Sequence, residues 1–128
     1  MKKTIFNYLL HKNEVSFLYD SICTEEGLKL MKTHHYTSVP VINTEGKYIG
    51  SVSEGDFLWN LLESDPDSFL KQPISSIVRD DYLEACSINT STEKLFQLLL
   101  DQNYVPIVDD RNVFIGIVTR KTILSSLI

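Results

Sequence analysis

An internal repeat limits what this chain can fold into more than any other feature of the sequence. Residues 39–58 align without gaps on residues 105–124, at an offset of 66, and six of the 20 positions are identical. Both copies contain a Val-Pro pair and, further along, an Ile-Gly pair. Because a unit of about 50 residues has too small a core to be secure alone, we expect the two copies to pack sheet against sheet about a pseudo-two-fold axis.

The same order of elements is predicted in both copies from the spacing of apolar and turn residues. Each first helix begins with a hydroxyl at the expected N-cap and an acid in its first turn, as in Cys23–Glu26 and Ser91–Lys94. Hairpin turns are expected at Asn43–Gly46 and Asp109–Asn112. Each copy therefore reads β-α-β-β-α: strand near 17–22, helix from 24, strands 39–42 and 48–52, helix 54–62; then strand near 82–88, helix from 92, strands 105–108 and 113–118, helix 120–127.

These elements predict an α+β fold with four parts along the chain. An N-terminal helix over residues 1–14 precedes the first repeat, and it would carry Ile5, Phe6, Leu9 and Leu10 on one face. The first repeat covers 15–62, a linker covers 63–78, and the second repeat covers 79–128.

Charge and composition limit the classes of binding partner and the cellular compartments that are expected for this chain. Seventeen acids against twelve bases give a net charge of −5, which disfavours nucleic acid polymers and anionic membranes. No apolar run approaches the roughly 20 residues of a membrane span, and the start of the chain is too polar for a signal peptide. Cys23 and Cys86 form no redox or disulfide pattern, which favours a reducing cytoplasm and buried thiols rather than nucleophiles.

A doubled motif resembles a known family. An apolar-Pro-apolar triplet is followed by Gly, one further residue and then Val-Ser-Glu-Gly-Asp in the first copy, or Val-Thr-Arg-Lys-Thr in the second. This pattern resembles a pair of cystathionine-β-synthase (CBS) domains, a Bateman module of the small stand-alone bacterial type, over residues 12–128. The resemblance implies a regulatory rather than catalytic protein that binds adenosine-containing ligands between its repeats, forms a homodimer and signals to an unknown partner protein.

Ser53 and Asp56 are the strongest candidate ligand residues. They lie three residues apart at the predicted strand-to-helix junction of the first copy. A carboxylate can accept hydrogen bonds from two adjacent hydroxyls, which suits a ribose diol, and the resemblance assigns ribose to the Asp. The alternative is that both residues only cap the helix.

The second copy departs from the pattern because Thr122 stands where the acid is expected, although Thr119 is retained. Arg120 and Lys121 place two cations at a helix start, where the helix dipole gives them no stabilisation. The resemblance implies that these residues bind the phosphate of a nucleotide whose ribose is held by the other copy. The alternative is a solvated basic patch.

This asymmetry predicts one strong and one weak site. In the strong site, Ser53 and Asp56 hold ribose, Thr119, Arg120 and Lys121 hold phosphate, and adenine lies against Leu83, Ala85, Cys86, Tyr104, Val105 and Pro106. The weaker second site would comprise Ser21, Ile22, Ser38, Val39, Pro40 and Thr122.

AMP, ADP or ATP is the expected ligand, with cyclic di-AMP or an empty, protein-binding scaffold as alternatives. We expect no metal site, because His34 and His35 have no partners at ligand spacing. No acid–base pair or activated nucleophile indicates an enzyme. The expected dimer surface comprises the apolar residues of the helices that follow the motifs: Phe57, Leu58, Trp59, Leu61, Leu62, Ile123, Leu124, Leu127 and Ile128.

Overall fold

The computed structural model describes residues 3–34 and 37–128 and forms two compact units. Phe17–Tyr82 make up the first unit, and the N-terminal segment up to Ser16 together with Leu83–Ile128 makes up the second. The strands are β1 (Leu10–His11), β2 (Leu18–Tyr19), β3 (Ser38–Ile42), β4 (Tyr48–Ser53), β5 (Cys86–Ser87), β6 (Tyr104–Val108) and β7 (Phe114–Thr119). The α-helices are α1 (Thr24–His34), α2 (Glu54–Glu63), α3 (Pro66–Lys71), α4 (Thr92–Asp101) and α5 (Arg120–Ser126).

Both units contain the same sheet arrangement, which confirms the predicted β-α-β-β-α order. In the first unit β2 is parallel to β3, and β3 is antiparallel to β4. In the second unit β5 is parallel to β6, and β6 is antiparallel to β7. A further edge segment pairs with the last strand of each sheet: the backbone of Arg79 with Ser51 on β4, and β1 with β7.

The two hairpin turns are built alike although their sequences differ. The side-chain oxygen of Asn43 accepts the backbone N–H groups of Glu45 and Lys47, and Asp109 does the same for Arg111 and Val113. The last turn residue is left-handed in both, with φ of 84° at Gly46 and 65° at Asn112. Gly and Asn are the residues that adopt this conformation most readily, so the predicted turn chemistry is confirmed.

The edge segments explain why a glycine is shared by the two copies. A Cβ atom on Gly50 would lie 2.6 Å from the carbonyl oxygen of Arg79, and one on Gly116 would overlap the carbonyl oxygen of Leu10. The backbone of each edge segment therefore lies where a side chain would be, and both positions require glycine.

The segment predicted as a linker is part of the first unit. Residues 63–78 contain α3 and a 3-10 helix, Ile74–Ser76, and they bury Phe69, Ile74 and Ile77 in the same core as Phe57 on α2. This apolar burial provides more stabilisation than an exposed connection would, which is why the segment folds against the repeat that precedes it.

The N-terminal segment differs from the helix predicted over residues 1–14. It contains a 3-10 helix, Ile5–Tyr8, then β1, then a second 3-10 turn, Lys12–Glu14. Ile5 is fully buried in the core of the second unit, whereas Phe6 is 62% exposed, so the four apolar residues do not share one face. Pairing of β1 with β7 interrupts the helix.

The start of α1 also differs from the prediction. Ser91 caps α4 as expected, by accepting the backbone N–H of Lys94. In the first copy, however, Thr24 is the first helical residue, is fully buried, and donates its hydroxyl to the Phe69 carbonyl at 2.5 Å.

Within the described part of the chain, no helix has both the length and the apolar character needed to span a membrane.

Candidate functional site

Ser53 and Asp56 form a reciprocal cap at the start of α2. The backbone N–H of Asp56 donates to Ser53 Oγ at 3.3 Å, and Asp56 Oδ2 accepts the backbone N–H of Ser53 at 2.7 Å. Ser53 Oγ also donates to Asp56 Oδ2 at 3.1 Å. The local pattern Ser-x-x-Asp favours this arrangement because it satisfies two backbone donors at once. The capping alternative is therefore present in the structure, and the ligand role of both residues stays a prediction.

The carboxylate of Asp56 is also paired with Arg79, a residue that sequence reasoning missed. Arg79 Nε lies 2.8 Å from Asp56 Oδ1, and its Nη2 lies 3.5 Å from Ser53 Oγ. The guanidinium carbon lies 4.1 Å from the centroid of the Tyr82 ring, a cation–π distance. The Asp56 side chain is 12% exposed and that of Arg79 is 45% exposed, so an almost buried acid is matched by a cation open to solvent.

No sequence signal pointed to Arg79. It lies outside the aligned repeat, and the residue at the equivalent offset in the first copy is Asn13. Arg79 is brought to the motif by the edge pairing, because its backbone N–H and C=O both bond to Ser51 at 3.2 Å. Ser51 lies two residues before Ser53 on β4, which places the Arg79 side chain beside the cap.

The second-copy junction has a simpler cap that carries no charge. The backbone N–H of Thr122 donates to Thr119 Oγ1 at 3.0 Å, and the two hydroxyl oxygens lie 2.8 Å apart. Thr122 thus occupies the place of Asp56 as a neutral residue, as the aligned sequences indicate.

Arg120 has a structural role that corrects the expectation of an uncompensated cation. Its guanidinium donates to the carbonyls of Leu99 at 2.9 Å, Gln102 at 3.2 Å and Leu100 at 3.4 Å. It also donates to the side-chain oxygen of Asn103 at 3.0 Å. These acceptors lie at the C-terminal end of α4, where the helix dipole is negative and a cation is stabilised. A role for Arg120 in binding phosphate stays a prediction, and the neighbouring Lys121 is exposed.

The structure groups the remaining candidate residues by unit. In the second unit Tyr104 pairs with Thr119 across β6 and β7; Val105, Pro106, Leu83 and Cys86 are buried, and Ala85 and Tyr104 are half-buried. In the first unit Ser38 pairs with Ser53; Val39 and Pro40 are buried, Ile22 is half-buried and Ser21 is exposed. Thr122, predicted with that weaker group, lies in the second unit. The predicted joint use of Asp56 and Arg120 draws on both units and stays a prediction.

The apolar residues expected at a dimer surface separate into two groups. Phe57 is 2% exposed and belongs to the core of the first unit, so it is not a surface residue. Leu61 and Ile123 are half-buried, whereas Leu58, Trp59, Leu62, Leu124, Leu127 and Ile128 are exposed. An apolar groove of about 730 Å³ runs between α1 and α2, lined by Leu28, Met31, Lys32, Glu54, Gly55, Phe57, Leu58 and Leu61.

The histidines, acids and cysteines of the described residues are the groups that could form metal or thiol sites. Among the described residues, no group of three or more His, Cys, Asp or Glu side chains is placed to hold a metal ion. His35, which follows His34 in the sequence, lies outside the described residues. Burial raises the pKa of the Cys86 thiol, which keeps it protonated and poorly nucleophilic.

Comparison with known proteins identifies the family. The CBS domain family model matches residues 24–63 and 74–128, which together are more than half of the chain. The chain belongs to the CBS domain family. No curated protein matches the sequence significantly.

Solved CBS structures share the fold at low sequence identity. A crystal structure of CbpB in complex with c-di-AMP is 24% identical, with a TM-score of 0.92, and the match covers 98% of this chain and 84% of that chain. A CBS domain protein from Streptococcus pneumoniae TIGR4 is 23% identical, with a TM-score of 0.88 and coverage of 96% and 85%. CBSX2 in complex with AMP is 22% identical, with a TM-score of 0.80 and coverage of 98% and 96%. At these identities the likeness establishes the CBS-pair fold.

Proposed function

We propose that this CBS pair is a non-catalytic regulatory module that binds an adenine nucleotide, AMP, ADP or ATP, with Asp56 and Ser53 on the ribose. The observation that carries the proposal is the Asp56–Arg79 pair, with 2.8 Å between Nε and Oδ1. It places a carboxylate, which suits a ribose diol, directly beside a guanidinium, which suits a phosphate. A helix cap alone requires no arginine.

The burial of the pair supports a ligand role. Asp56 is 12% exposed, so a hydrogen bond from a ribose hydroxyl would replace few water contacts, whereas the 45% exposed Arg79 remains within reach of a charged group. The residues predicted to bind phosphate in the second copy, Thr119, Arg120 and Lys121, stay part of the proposal. For Arg120, phosphate binding would have to compete with its bonds to the end of α4.

Regulation would follow from a shift in populations between two states of the module. A ligand shifts such an equilibrium only by the difference in its affinity for the two states. Arg79 and Tyr82 lie within the last four residues before Leu83, where the chain enters the second unit. A ligand that moves Arg79 away from Asp56 would therefore act on the segment that joins the two units along the chain.

Cyclic di-AMP is the second candidate ligand. It is favoured by the complex of CbpB with c-di-AMP, whereas AMP is favoured by the complex of CBSX2 with AMP. Both ligands offer adenosine and phosphate, the chemistry that Asp56 and Arg79 match. A ligand-free protein-binding scaffold is the remaining alternative, and it predicts no response to any nucleotide.

We further propose that the protein is a cytoplasmic homodimer that acts on a partner protein. The exposed apolar residues Leu58, Trp59 and Leu62 on α2 supply a surface for a second copy. The cysteines are consistent with a reducing compartment. Mass measurement by light scattering tests the dimer, which the substitution Trp59→Glu is expected to dissociate.

Binding is tested by a thermal-shift panel of AMP, ADP, ATP and c-di-AMP, followed by titration of the ligand that responds best. A ligand at 100 times its Kd stabilises the folded protein by about 2.7 kcal/mol. Asp56→Asn keeps a side-chain oxygen that can accept the Ser53 N–H but removes the charge, and it should weaken binding at least about tenfold, or about 1.4 kcal/mol.

Asp65→Asn is the matched control. Asp65 caps α3 in the same unit by accepting the backbone N–H of Ser68 at 3.0 Å. This variant should bind nucleotide like the wild type. A flat response of the wild type across the panel, or equal affinity of wild type and Asp56→Asn, would contradict the proposal.

A further inference from the structure

The carboxylate of Asp56 is already engaged on both oxygens. Oδ2 accepts two bonds from Ser53, one from its backbone N–H and one from its hydroxyl. Oδ1 accepts Arg79 Nε at 2.8 Å. A carboxylate has about four lone-pair sites, so a ribose diol that requires two of them must displace a group that is already bound.

Arg79 is the partner that can be displaced most easily. The Ser53 N–H bond closes the cap of α2 and is local to the backbone, whereas the Arg79 side chain is half exposed and joined to Asp56 through one short contact. Its backbone is held by two bonds to Ser51, and its guanidinium lies over the Tyr82 ring. Arg79 released from Asp56 would therefore stay at the site.

We propose that Arg79 makes this site select phosphate-bearing nucleosides over free nucleosides. The inference rests on the proposed function and concerns the same site. A free nucleoside that takes Asp56 Oδ1 leaves the guanidinium without its anion. A nucleotide that does the same brings an anionic phosphate, which matches the planar guanidinium at least as well as the carboxylate. The exchange therefore costs less free energy for a nucleotide.

The second copy lacks both halves of this exchange. Thr122 provides no carboxylate at the equivalent cap, and the Arg120 guanidinium is bonded to three carbonyls and Asn103 at the end of α4. The selection is therefore a property of the first-copy junction.

The test compares AMP with adenosine by calorimetric titration of the wild type and Arg79→Gln. We expect the wild type to bind AMP at least about tenfold more tightly than adenosine, a ratio worth about 1.4 kcal/mol. In Arg79→Gln the ratio should fall to below about threefold, because AMP loses its cation while adenosine no longer has to break an ion pair. Arg79→Lys, which retains the charge, should restore part of the ratio.

Arg111→Gln is the matched control, since Arg111 is exposed on the hairpin turn of the second unit. It should leave the ratio unchanged. If Arg79→Gln keeps the wild-type ratio while the wild type binds AMP, the selection by Arg79 is refuted and the proposed function stands. If the wild type binds AMP and adenosine equally, the selection is again refuted. If the wild type binds neither compound nor any other nucleotide, the proposed function fails together with this inference.

Discussion

Replacement of Arg120 tests whether this cation is a structural cap. The guanidinium makes two short hydrogen bonds, to the Leu99 carbonyl at 2.9 Å and to Asn103 Oδ1 at 3.0 Å, and two longer ones. A hydrogen bond contributes about 0.5–1.5 kcal/mol net, and a cation at a helix C-terminus about 0.3–1 kcal/mol. Since the side chain is partly exposed, we expect Arg120→Ala to lower the free energy of unfolding by about 2 kcal/mol.

Urea unfolding followed by circular dichroism measures this change. With a slope of about 2 kcal/mol/M, the midpoint should fall by about 1 M. Lys121→Ala is the matched control: its side chain is exposed, and its removal should change the stability by less than about 0.5 kcal/mol. A urea midpoint of Arg120→Ala equal to that of the wild type would refute the capping role of Arg120 and would indicate that its side chain is a solvated surface cation.

Three further predictions concern stability. Phe69→Ala should lower the free energy of unfolding, measured with urea, by about 3–5 kcal/mol, because the ring is 2% exposed in the core. Phe6→Ala, at an exposed position, should lower it by less than about 0.5 kcal/mol. Similar losses in the two variants would contradict a core role for residues 63–78. Gly116→Ala should cost at least about 1–3 kcal/mol, through strain at φ 157° and through overlap of its Cβ with the Leu10 carbonyl oxygen. Gly55→Ala, whose Cβ would make only ordinary van der Waals contacts, at 3.5 Å with Trp59 and 3.6 Å with Ser53, should raise stability by about 0.5 kcal/mol. Two backbone hydrogen bonds lower the pKa of Asp109. The stabilisation by its carboxylate is therefore complete above the ordinary pKa of about 3.9 and is lost as the pH falls through the lowered pKa. The difference in free energy of unfolding between wild type and Asp109→Asn should shrink over that pH range.

The repeat made most of the fold predictable. Each predicted strand and helix of the two copies is present within a few residues, because period-2 and period-3.6 patterns and turn residues act locally. The equivalent turns at Asn43 and Asp109 show how well local chemistry specifies structure: different residues produce the same backbone path.

The segments outside the repeat were the least predictable. Residues 63–78 read as a linker because Pro66 and Pro73 interrupt them, yet Phe69 and Ile74 are core residues. The N-terminal segment read as a helix, yet β1 pairs with a strand more than 100 residues away in sequence. Long-range packing determines the structure of both segments, and neither the periodicity of apolar residues nor a helix-capping motif in the sequence indicates such packing.

The candidate site was predictable only where the motif itself carries it. Ser53 and Asp56 are identified by their position in the repeat, and the structure adds that they cap α2. Arg79 lies beside Asp56 because its backbone pairs with Ser51 at the edge of the sheet. This is a tertiary contact, which the local sequence pattern does not indicate. The sequence did not show that the C-terminal carbonyls of α4 compensate the charge of Arg120, and its predicted role in binding phosphate stays a prediction.

The most direct test of the central claim is a calorimetric titration of the wild-type protein with AMP, with the stoichiometry as the deciding quantity. The claim is that the charged first-copy junction at Asp56 binds nucleotide and that the neutral junction at Thr122 binds weakly or not at all. The predicted result is one site per chain whose affinity falls at least about tenfold in Asp56→Asn. Two equal sites per chain, or one site with unchanged affinity in Asp56→Asn, would contradict the account.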